Sequence, residues 1–117
     1  MEGLDYERDT AIDPNALDVE WVQQPELMRR YTVHAANMKK EADDAKERLD
    51  VIRARLDMEI RANPGQFGLE KVTEGAISAT ILLQAEYQKQ SEVLAAARYE
   101  YDIATAAVRA LDQKKTA

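Results

Sequence analysis

The segment Leu49–Thr73, LDVIRARLDMEIRANPGQFGLEKVT, decides the fold. Asn63-Pro64 ends any helix that leads into it, because proline has no N–H for the preceding turn and pushes the residue before it out of the α region. Thr73-Glu74 opens the next helix: the hydroxyl can accept from an orphan amide, and the acid stands beside the positive end of the helix dipole. Between them Gly65 and Gly68 can take positive φ, and Phe67 and Leu69 provide apolar plugs for a turn over 63–72.

Working back from the turn, Met28, Ala35, Ala42, Leu49 and Leu56 recur every seventh residue, and Tyr31, Met38, Ala45 and Ile52 follow each by three. This is a heptad seam with apolar a and d positions, broken by Glu59. It predicts a helix over 25–62, roughly 57 Å long at 1.5 Å per residue, that starts at Pro25 with Glu26 in its first turn. Working forward, Thr80, Tyr87, Leu94, Tyr101 and Val108 form one row and Leu83, Gln90, Ala97, Ala104 and Leu111 the other, which predicts a second helix over 73–113. Arms of matching length fold most economically as a long antiparallel helical hairpin, coiled-coil-like and all-α.

Ahead of it, residues 1–12 lack periodicity and read as an acidic mobile arm. Asp13-Pro14 then starts a short helix over 14–23 that sets Leu17 and Trp21 on one face, with Trp21 packing onto the body. The 117 residues make a single helical domain. Alanines fill much of the seam, so one hairpin buries little apolar surface and oligomer assembly is expected. Val51, Ile60, Ile77, Ile81, Leu82, Val93 and Ile103 lie outside the seam and widen the apolar stripe for further helices.

The net charge is −6, with no cysteine, a single histidine and few aromatics. There is thus no disulfide framework or thiolate chemistry. His34 has no metal-ligand partner at a bundle-site spacing and reads as a surface or packing residue; Gly65 and Gly68 lack the strand that precedes a phosphate loop. These features point to a protein that is not an enzyme and needs no cofactor or metal. No run is long enough to span a bilayer, and the acidic start is unlike a secretory signal, so the expected location is cytoplasmic. Residues 1–26 hold eight acids against Arg8, or −7; subtracting this from −6 leaves +1 for the rest. That balance counts against strong nonspecific nucleic-acid binding by a monomer.

The basic residues sort by heptad position. On the g side, a fold about position 67 sets Arg48 near Glu86 as an ordinary flanking ion pair. On the e side Lys39, Lys46, Arg53 and Arg98 meet no acid until Asp112, and this basic stripe, repeated around an oligomer, could follow a phosphate backbone. Solubilising a coiled-coil flank, or pairing with a neighbouring subunit's acids, explains the same pattern. Carboxylates at Glu41, Asp43, Asp44, Glu47 and Asp50 read as a solvated outer face.

Arg53-Ala54-Arg55-Leu56-Asp57, then Phe67-Gly68-Leu69-Glu70-Lys71 and a long second helix, resembles the phage recombination mediators of the UvsY family, in which a Lys-Ala-Arg-Leu-Asp segment precedes a glycine-rich turn. Ile12-Asp13 with Leu17 is similar to that family's entry into its first helix. The resemblance implies a ring-forming all-α protein that binds single-stranded DNA and helps load a recombinase onto strands covered by a single-strand-binding protein. It assigns the DNA-binding pair to Arg53 and Arg55, places the protein in the host cytoplasm if phage-encoded, and implies a further C-terminal segment that assists assembly. The competing class is a helical scaffold or host-factor-binding protein with no DNA role.

Overall fold

The computed structural model describes residues 17–116, and the side chains of 25–113. Among these residues it is all helical: α1 spans Leu17–Ala62, α2 Glu74–Leu82 and α3 Ala85–Thr116, with a 3-10 turn at Pro64–Phe67 and no strand. The acidic arm, the Asp13-Pro14 start and the packing of Trp21 lie outside the described residues. The chain divides into two compact units, one of Met1–Lys40 with Arg98–Ala117, the other of Glu41–Ala97.

The break between 63 and 73 forms as its residues require. Asn63 still donates its N–H to the Glu59 carbonyl (3.0 Å), then leaves helical geometry at φ −137° ahead of Pro64. Gly68 takes φ 74°, the left-handed region where a side chain is costly, and Gly65 does not. Its N–H donates to the Gly65 carbonyl at 3.2 Å, and Leu69 N–H donates to the Pro64 carbonyl at 3.0 Å, so the turn satisfies its own backbone. Thr73 caps α2 by accepting from Ala76 N–H (3.1 Å).

In the Glu41–Ala97 unit, Leu56 and Ile60 of α1 cluster with Ile77 and Ile81 of α2. Ile52, Phe67, Leu69 and Tyr87 pack around them, so both apolar residues of the turn are used. A second cluster joins Ala45 and Leu49 to Leu94 and shares Tyr87. Gln90, the polar member of the predicted seam, donates from Nε2 to the Ala45 carbonyl (3.1 Å), which satisfies it where an apolar side chain would otherwise sit. In the other unit Tyr31 packs with Ala107 and Leu111, flanked by Leu27, Met28 and Val108.

Three expectations are corrected. Pro25 does not restart a helix but lies inside α1, where its φ is compatible with the helix although its ring removes one backbone hydrogen bond and crowds the preceding turn. The second arm is not one helix over 73–113. Leu83 N–H and Gln84 N–H donate three residues back, to Thr80 and Ile81, instead of four, and α3 starts anew at Ala85. Glutamine side chains satisfy the carbonyls at this break: Gln84 Nε2 donates to Thr80 O and Gln88 Nε2 to Leu82 O, each at 3.0 Å.

The break also changes which residues are inside. Leu83, placed in the seam by its spacing, is 75% exposed, whereas Ile77 and Ile81, assigned to an outer stripe, are each 1% exposed. Ile60 is wholly buried too. A helix interrupted at Leu83 carries its apolar phase differently on either side, so one heptad frame cannot fit both segments.

Arg61 spans the turn as well. Its guanidinium donates to Asp57 (2.6 Å) and, through Nη2, to both carboxylate oxygens of Glu74 (2.7 and 2.8 Å). Asp57 first, and then Glu74, hold the guanidinium in its charged form.

Truncation separates core from spacing. Ile77→Ala is expected to cost about 2–5 kcal/mol, and Leu83→Ala under about 0.5 kcal/mol. Urea denaturation followed by circular dichroism measures both, and equal losses would contradict the burial pattern.

Candidate functional site

The five cations singled out by spacing and resemblance fall into different settings. Lys46, Arg53 and Arg55 are exposed on α1 within the Glu41–Ala97 unit, while Lys39 and Arg98 belong to the other unit. Lys46 Nζ is held by Asp50, four residues on, at 2.6 and 2.8 Å. The acid-free e side is therefore interrupted by a carboxylate from the neighbouring b position of the same helix, which the long lysine side chain reaches. Lys39 is also engaged.

Arg55 is the most constrained. Its Nη1 donates to Glu59 Oε1 (2.8 Å) and its Nη2 pairs with Glu86 of α3. Glu86 and then Glu59 raise its pKa and fix its charge by hydrogen bonding. The expected Arg48–Glu86 pair is thereby corrected: Glu86 meets an arginine of the g row, but one two turns further along. The reason is register. The turn and the α2–α3 break displace the pairing from a simple fold about position 67, so a 3-10 segment and a helix interruption stand where a smooth loop was assumed.

Arg53 differs from both neighbours. It is exposed, and neither a carboxylate nor any other hydrogen-bonding partner holds it among the described residues; the same is true of Arg48 and Arg98. Arg53 and Lys46 stand two turns apart on one helix, roughly 10 Å along its axis. A guanidinium in this state has five donors facing solvent, with planar geometry suited to a phosphate or carboxylate.

Among the described residues no three His, Asp or Glu side chains gather as metal ligands. His34 is a packing residue, 1% exposed, not a surface one. No helix there is long and apolar enough to cross a membrane. A shallow groove in the Glu41–Ala97 unit is lined by Asp44, Glu47, Arg48, Val51, Ile52 and Gln90. Heptad spacing does not disclose that groove, because it depends on how Gln90 seats against α1.

No protein-family model matches the chain, and no curated protein and no solved structure does.

The contrast among arginines is directly measurable. Dicarbonyl reagents attack the neutral guanidine, so hydrogen-bonded, raised-pKa arginines react slowly. Arg53 and Arg98 are expected to be modified faster than Arg55 and Arg61, as read by peptide mass spectrometry over a time course. Equal rates at Arg53 and Arg55 would contradict the pairing.

Proposed function

We propose that this chain is a non-catalytic recombination mediator, a homo-oligomer that holds single-stranded DNA and helps load a recombinase onto strands covered by a single-strand-binding protein. The observation that carries the DNA part is Arg53, exposed and without a carboxylate partner among the described residues. Its charge stays available to a phosphate, and placing a phosphate there releases a counterion. The resemblance of Arg53-Ala54-Arg55-Leu56-Asp57 to the UvsY-family motif supports the same residue from a different direction.

In this reading the arms form an antiparallel, coiled-coil-like hairpin. Supporting it, contacts in the Glu41–Ala97 unit run in opposite order: going back along α1 from Ile60 to Ala45, the clustered residues advance from Ile77 to Leu94. Alanines at 42, 45, 104 and 107 occupy buried positions, so each chain gains little from its own core, and assembly adds what is missing. Val51, Met58, Leu82, Leu83 and Val93 remain exposed for it. Ile60, Ile77 and Ile81 do not serve, since the chain's own core uses them. The proposed location is the cytoplasm, the host's if the protein is phage-encoded.

One observation favours a second reading, a helical scaffold or host-factor-binding protein without a DNA role. Arg55 is occupied by Glu59 and Glu86, and Lys46 by Asp50, which leaves fewer cations for a phosphate backbone.

Fluorescence anisotropy with labelled single-stranded and duplex oligonucleotides at two salt concentrations separates the two. The mediator prefers single strands. Arg53→Gln is expected to weaken binding and lower the slope of log K against log salt by about 0.7 per lost phosphate contact, with helicity unchanged. Arg55→Gln should do less, because that charge is already engaged. An assembled wild-type protein indifferent to single strands at low salt would leave the scaffold reading in its place.

A further inference from the structure

We infer that the groove beside Val51, together with the apolar residues flanking Arg55, is the surface through which one chain binds a second copy of itself. The inference rests on the self-assembly part of the proposed function and assigns it to a specific face. The Arg55–Glu86 ion pair places those two residues on the same side of the Glu41–Ala97 unit. On α1, Val51 and Met58 stand four residues before and three after Arg55, on the same stripe, and are 62% and 73% exposed. On α3, Val93 lies two turns beyond Glu86 and is exposed as well. Single exposed apolar residues are ordinary on a protein surface; here Val51 lines a groove of ≈ 490 Å³, with Met58 two turns along the same stripe of α1 and Val93 one turn past Gln90, which also lines the groove.

Charge favours a second copy over the other occupants. The groove's rim carries Asp44 and Glu47 together with Arg48, which has no carboxylate partner among the described residues. A nucleic-acid backbone would meet the two acids at the rim, with Glu59 and Glu86 close by on Arg55. A two-fold contact suits a patch that holds both signs, since each copy presents the same surface and its base meets the other's acid. An axis crossing the groove near Glu47 and Arg48 sets Arg48 of each copy against Glu47 of the other and encloses Val51 and Ile52 of both. The pair Arg55–Glu86 then lies beside the contact.

Sedimentation velocity of the full chain over a concentration series tests this. Val51→Glu and Met58→Glu are each expected to raise the dissociation concentration about tenfold or more while circular dichroism stays unchanged, because both side chains already face solvent. Arg48→Glu alone and Glu47→Arg alone should each weaken assembly; mixing the two variants should restore it, since their altered charges complement across a two-fold axis. Assembly unaffected by Val51→Glu and Met58→Glu would overturn the inference, as would single charge variants that fail to complement on mixing. These outcomes leave the DNA reading standing. A wild-type protein that stays monomeric at every concentration would instead remove the self-assembly part of the proposed function, and this inference with it.

Discussion

The structure depends first on the turn between α1 and α2. Asn63-Pro64 ends α1, and Gly68 supplies the one positive φ among the described residues. Those backbone constraints alone would leave a loop with many conformations. What fixes it is the apolar cluster on either side, Leu56 and Ile60 against Ile77 and Ile81, with Phe67 and Leu69 brought in from the turn itself. The Arg61 fork to Glu74 adds direction more than energy, since exposed ion pairs contribute little to stability while bidentate geometry limits how the two helix ends can approach.

The second constraint is the interruption at Leu83. A continuous helix would have kept Leu83 in phase with the seam. Instead the chain tightens to three-residue bonding, and the side-chain amides of Gln84 and Gln88 add hydrogen bonds to the Thr80 and Leu82 carbonyls beside it. The phase change allows Ile77 and Ile81 to reach the core before the break, and Leu94 after it. It also turns Leu82 and Leu83 outward. The cost of the break is small, because its polar groups are satisfied and the residues buried in exchange are branched and apolar.

Much of this was legible from the residues, and what was not has a physical cause. Helical content, the end of α1 at Ala62, the Thr73 cap and the inward role of Phe67 and Leu69 follow from local rules, because proline, glycine and capping residues act within a few positions of themselves. The interruption at Leu83 escaped because neither glycine nor proline marks it; the only signal is the spacing of Thr80, Gln84 and Gln88, whose side chains compete for backbone groups. Pro25 was overvalued as a boundary, since a proline already in helical φ costs one donor without obliging a stop. The site fared similarly. Arg53 could be named from its heptad position; Asp50 on Lys46 and Glu59 on Arg55 follow the i, i+4 spacing of one helix, whereas Glu86 on Arg55 depends on the register between helices.

Arg53 and Arg55 show how register separates two near neighbours in so short a motif. Two residues apart on an α-helix, they lie about 200° apart around it, on opposite flanks of the seam. Arg55 pairs with Glu86 of α3 and with Glu59, a contact that orients the two helices more than it stabilises them. Arg53 points elsewhere and keeps its donors in solvent. Two arginines that appear equivalent in the sequence therefore end in different settings, one paired with carboxylates and the other exposed without such a partner among the described residues. The overall charge of −6 is unevenly spread along the sequence, with eight of the acids in residues 1–26 and a net +1 in the rest. Along α1 the charges of Lys46 and Arg55 are paired with Asp50, Glu59 and Glu86, while Arg53 has no carboxylate partner among the described residues.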